Sequence, residues 1–185
     1  MRKALDALYR FSAGLAALSL VIIATMVVVQ VGGRVADGLR SAFGYEPYGL
    51  LVPSLSEIAG FLLVAASFLA LASTLRNADH IRVNILLLQL PRSAARALEI
   101  WVLAVATALV GFFAWNAVLL VIDSYRFNEV SFGIIPVPLW IPQAAMAGGL
   151  IVFLISLVDD FIVTLSGGEP SYMEPEGSER IEGTE

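Results

Sequence analysis

Four stretches of this chain run without a single Asp, Glu, Lys, Arg or His: Phe11–Gly33, Ile58–Leu75, Ile100–Ile122 and Val130–Val158. An apolar helix of about 20 residues crosses the ~30 Å hydrocarbon core of a bilayer. The pattern therefore predicts an all-α integral membrane protein with four transmembrane helices, at about 11–33, 56–75, 100–122 and 139–158, in one membrane domain over 1–165. The second run is short, and Ser54 with Glu57 three residues later reads as a capping box that adds a turn before it. The fourth helix is expected to begin near Pro138, which puts Pro138 and Pro142 in its first turn, where missing N–H groups cost little. Ser12/Ala16, Ala13/Ala17, Ala66/Ala70, Ala144/Gly148 and Ala145/Gly149 place small residues four apart. That spacing lets helices approach closely in lipid.

The polar connections are of two kinds. Arg34–Glu57 is expected to be a loop in which Arg34, Asp37, Arg40 and Glu46 alternate in sign, with Tyr45, Pro47, Tyr48 and Pro53 suited to a membrane surface. Asp123–Pro138 is expected to be a second loop on the same side. Arg76–Arg92 differs, because Ile81–Leu90 is too apolar for a loop and, at ~15 Å as a helix, too short to span. A short amphipathic helix over about 80–90, N-capped by Asp79, is predicted to lie along the membrane face.

Charge refines this picture. Residues 166–185 hold six glutamates and one arginine, which account for the net charge of −5. Their Gly/Pro/Glu composition predicts a disordered acidic C-terminal tail. Near the helix ends, Arg2, Lys3, Arg10, Arg76, Arg82, Arg92 and Arg96 lie on one side and Arg34, Arg40 and Arg126 on the other. The excess of basic residues places both termini and the 80–90 helix in the cytoplasm. The first run is read as a retained span. It is longer than the roughly 7–15 apolar residues of a signal peptide, and Val31-Gly32-Gly33-Arg34 is a poor cleavage site.

Several function classes have nothing to rest on. There is no basic patch with interleaved aromatics for nucleic acid, no cysteine, and one histidine, His80, outside the spans. Solute-carrying centres need ionisable groups or broken helices at membrane depth, and the four uncharged runs supply neither. The chain is expected to bind no cofactor, to catalyse nothing, and to work beside another protein. Asn116, inside the third run, reads either as an interhelical hydrogen bond or as a substrate contact.

Several motifs then fall into a familiar order: Glu57-Ile58-Ala59-Gly60, His80-Ile81-Arg82-Val83 opening a leucine-rich segment that ends Leu90-Pro91, Ser131-x-Gly133, and Pro138-Leu139-Trp140-Ile141-Pro142-Gln143. From about residue 10 to 162 the chain resembles the small permease subunit of tripartite ATP-independent periplasmic (TRAP) transporters. Arg34 also sits where that family often has an arginine. Asn84 departs from the family's usual Asp, and Ser54–Glu57 lacks the tryptophan and second glutamate often seen before helix two. The resemblance implies a three-part importer of the bacterial inner membrane. A periplasmic substrate-binding protein delivers an organic acid, a large permease subunit carries the substrate and sodium sites, and the small subunit is its stationary scaffold. The competing class is a non-transport membrane anchor of a respiratory or signalling complex.

Candidate residues follow from both lines. Arg34 and Glu57 are expected at same-side helix ends, either paired or separately solvated, since an exposed pair contributes only ~0–1 kcal/mol. His80 is expected to hydrogen-bond a neighbouring helix end or the large subunit, with a metal or proton-relay role as the alternative. Arg76, Arg82, Arg92 and Arg96 are expected to face anionic lipid headgroups, at about 1 kcal/mol each; Arg82 also counts as a partner-interface candidate. Trp140 reads as an interface anchor or a partner hot spot. Ser131, Gly133, Pro138, Pro142 and Gln143 are expected to shape the entry of the fourth helix and its contact with a partner.

Overall fold

A computed structural model describes residues 2–49, 51–76 and 91–166. The expected 80–90 helix with Asp79, His80, Arg82 and Asn84, and the tail beyond Ser166, lie outside the described residues, as do the side chains of Arg76 and Arg92. Four helices form the described part: α1 (Arg2–Ala42), α2 (Leu55–Arg76), α3 (Arg92–Arg126) and α4 (Trp140–Leu165). All four are long and apolar enough to cross a membrane, and no strand occurs among the described residues.

The helices overrun the uncharged runs. At 41 residues, α1 is ~60 Å long, twice the thickness of the hydrocarbon core. Arg34–Ala42, expected in a loop, is instead its closing segment. Ser93–Glu99 likewise belongs to α3, which starts directly after the extended Pro91. The fourth helix, expected over 139–158, runs on as α4 through Asp159-Asp160 to Leu165. The reason is common to all three. A charged side chain marks where lipid ends, but a helix keeps its backbone satisfied in water too.

What stops α1 and α3 is local chemistry. Gly44 is left-handed (φ 77°), the Tyr45 N–H reaches back to Arg40 O and the Gly44 N–H to Ser41 O. Asn128 (φ 50°) does the same for α3, with the Glu129 N–H on Ser124 O and its own N–H on Tyr125 O. Both are Schellman endings, which favour Gly or Asn at the left-handed position.

Packing runs in the order α1–α2–α4–α3, and α1 meets α4 only at the margin. The helices form an open row instead of a bundle closed around a centre. Ser12 on α1 donates to Leu69 O late in α2 at 2.6 Å, while Gln30 further along α1 meets Val52 just before α2, so these two helices are antiparallel. On α1 the buried stripe is Tyr9, Ser12, Ala16 and Ser19. At the α2–α4 contact Gly149 is indispensable, because a Cβ there would stand 2.6 Å from Phe68 O and 2.8 Å from Leu69 N. Ala114 and Ala117 of α3 pack with Ala147 and Leu150 of α4. Asn116 is exposed and donates to Phe112 O in its own helix at 2.8 Å, and among the described residues it makes no bond to another helix.

Candidate functional site

Two ends of the row differ in content. At the end bearing the termini, Asp160, Ser156 and Thr164 of α4 are almost wholly buried, and so are Tyr9 and Ser12 of α1. Thr164 Oγ1 donates to Asp160 O at 2.8 Å. Arg96 Nη2 donates to Thr164 O at 3.2 Å and so covers a carbonyl in the last turn of α4. The uncharged runs gave no sign of Asp160 as a buried group, because it falls just past the fourth of them.

At the other end three pieces of non-helical chain meet. Residues 43–49 and 51–54 fold back along α1 as a strap. The Asp37 carboxylate accepts the Tyr48 N–H at 2.6 Å and the Gly49 N–H at 3.1 Å, and Gln30 Oε1 accepts the Val52 N–H at 2.6 Å. Arg40 donates to Glu46 O at 2.8 Å, and its guanidinium lies 3.9 Å from the centroid of the Tyr48 ring. Of the alternating charges of this stretch, Asp37 and Arg40 are thus laces between strap and helix. Gln30 carried a signal that charge patterning passes over, as the single amide side chain in Phe11–Gly33.

The second piece is a hairpin-like loop over 127–139, in which Val130 bridges Pro138. Ser131 secures it twice, since its N–H donates to Val137 O at 2.9 Å and its Oγ accepts the Val137 N–H at 3.0 Å. Ser124 Oγ donates to Glu129 Oε2 at 2.6 Å beneath it. Trp140 opens α4 edge-on to Tyr125, with ring centroids 5.9 Å apart. Pro142 sits in the first turn of α4, while Pro138 precedes the helix. Gln143 Oε1 is enclosed without a hydrogen-bond partner.

The third piece is the start of α2, and here the capping-box expectation is corrected. Ser54 is left-handed (φ 54°), and its Oγ accepts the Ile135 N–H of the hairpin at 3.0 Å. The Glu57 and Ile58 N–H groups turn to the Ser54 carbonyl instead, at 3.1 and 3.0 Å. Glu57 packs beneath Gly133: a Cβ there would overlap Glu57 Oε2 and stand 2.9 Å from Ser54 Oγ. Oε2 is enclosed with no hydrogen-bond partner. Between the pieces opens a cleft of about 680 Å³, whose walls include Gln30, Arg34, Ser54, Glu57, Phe132 and Gly133. Arg34 and Glu57 thus share a site, and among the described residues no salt bridge joins them.

A family model described as "Tripartite ATP-independent periplasmic transporters, DctQ component" matches residues 48–167. The chain belongs to this family. Comparisons with curated proteins and with solved structures returned no match. As a DctQ component with four helices able to span, it is a multi-pass membrane part of a transporter. The matched stretch holds Glu57, Ser131, Gly133, Pro138, Trp140, Pro142 and Gln143, whereas Gln30 and Arg34 precede it. One wall of the cleft therefore lies within the DctQ region and the other on the helix before it.

Proposed function

We propose that this DctQ component is the stationary scaffold of a TRAP transporter. It would brace a large substrate- and sodium-binding permease subunit that imports an organic acid delivered by a periplasmic binding protein. The observation that carries the reading is the open row. Its helices lie side by side and not around a centre, and its edge helices turn large apolar side chains outward, among them Val28 and Val31 on α1 and Phe112 and Trp115 on α3. Such faces suit lipid or another membrane subunit, and small residues bring the row's own backbones together.

In this reading the termini and the 80–90 segment are cytoplasmic, and the strap and hairpin face the periplasm. Ser131, Gly133, Pro138, Trp140, Pro142 and Gln143 then shape a surface offered to the partners, and His80 with Arg82 makes a structural contact on the opposite side. Arg76, Arg82, Arg92 and Arg96 serve anionic headgroups there, each contributing about 1 kcal/mol. The deciding measurement is uptake by vesicles containing the large subunit and binding protein, with and without this chain. Loss of uptake on omission, with no transport by this chain alone, is expected; sustained carboxylate accumulation by this chain alone would overturn the scaffold role. Since the chain has no cysteine, single cysteines at Ser166 and Asn128 report orientation. Labelling of Asn128→Cys, and not Ser166→Cys, from the outside is expected.

A further inference from the structure

The cleft at the loop end leaves two opposite charges uncommitted. Arg34 is exposed on one wall, and Glu57 is half-buried on the other with Oε2 shut in and undonated. Sequence position sets the depth. Gln30 lies inside the first uncharged run, Arg34 directly follows it, and Glu57 directly precedes the second. Those boundaries are where acyl chains give way to headgroups. Beside the charges, Phe132 and Ile134 stand 104% and 83% exposed, an apolar rim ill suited to bulk water.

We propose that this cleft binds a zwitterionic phospholipid headgroup with a primary ammonium, that of phosphatidylethanolamine. Arg34 takes the phosphate, for which a guanidinium offers forked N–H donors. Glu57 takes the ammonium at Oε1, and the ammonium's charge compensates a carboxylate whose enclosed Oε2 the protein leaves without a donor. A choline headgroup has the charge but no N–H to donate. An anionic glycerol headgroup would suit Arg34 but bring no cation to Glu57. Phe132 and Ile134 line the glycerol and upper acyl region. The inference requires only that α1 and α2 span the membrane, so it stands apart from the scaffold role and from orientation.

The full-length chain, purified in detergent, is incubated with an equimolar mixture of phosphatidylethanolamine, phosphatidylcholine and phosphatidylglycerol, and bound lipid is counted by native mass spectrometry. Phosphatidylethanolamine is expected to exceed phosphatidylcholine by roughly tenfold, the scale of a charge-assisted hydrogen bond. Glu57→Gln should erase that preference, and Arg34→Gln should lower retention of both. Gly133→Ala, which displaces the Glu57 carboxylate without changing charge, should weaken the preference; size-exclusion profiles like the wild type's confirm that each variant is folded. Glycerophosphoethanolamine, with the same charges and no acyl chains, should fail to displace the lipid. Equal retention of the two zwitterionic lipids, a preference that survives Glu57→Gln, or displacement by the soluble headgroup overturns the proposal. So does release of a bound partner protein by Arg34→Gln with lipid retention unchanged.

Discussion

At the end of the row that bears the termini, Ser12, Thr164 and Arg96 each turn a donor onto backbone that is already helical, at Leu69, Asp160 and Thr164. At the loop end, Asp37, Gln30, Ser54 and Ser131 instead accept N–H groups of chain that has left the helix. Helical backbone satisfies itself, so polar side chains beside it are free to tie helices together. Irregular backbone near lipid has no such reserve and consumes the polar side chains around it. Among the described residues of the loop end, Arg34 and Glu57 are oppositely charged groups that this demand leaves unspent, and the cleft opens between them.

The contrast can be tested at graded cost. The largest effect is expected midway between the ends, where Gly149→Val would drive side-chain carbon into the Phe68 and Leu69 backbone. Thermal unfolding in detergent should show a loss of about 3 kcal/mol, whereas Gly148→Ala, which meets open space, should stay within ~0.5 kcal/mol. Equal losses would mean that the α2–α4 contact is not the close one described. At the loop end, Asp37→Ala strands two strap amides. Hydrogen exchange at Tyr48 and Gly49 should quicken by roughly tenfold, for a local loss of ~1–3 kcal/mol, with the Ala114–Leu150 core unchanged. At the other end, Ser12→Ala removes one bond between helices whose partner carbonyl keeps its helical donor. The expected cost is ~0.6 kcal/mol, and a loss as large as that of Asp37→Ala would erase the distinction drawn above. Smallest of all, Asn116→Leu should change the stability of the isolated chain by less than ~0.5 kcal/mol, because Asn116 is exposed and bonds Phe112 O of its own helix.

The four spans and the small-residue contact at Gly149 were legible in the sequence because lipid imposes a coarse rule on composition. Helix ends were not. Arg34 told where the hydrocarbon stops, but the signals that end α1 and α3 were Gly44 and Asn128, single residues able to take a left-handed conformation. The motif residues Glu57, Ser131 and Gly133 were singled out, yet their meeting was hidden, since it depends on Ser54 capping a hairpin 81 residues away in place of its own helix. Asp160 escaped for the opposite reason: it sits beside Asp159 at the end of an uncharged run, where a solvated carboxylate is the ordinary reading.

The neighbours α2 and α4 point the same way, although α3 is synthesised between them, as the contacts of Gly149 with Phe68 and of Ile135 with Ser54 require. Among the described residues, α3 is therefore held to the α1–α2 pair chiefly through Trp140–Leu165, the last of the four helices to be made. A chain shortened before that last helix would lose the contacts on both sides of it at once, and would not be a smaller version of the same protein.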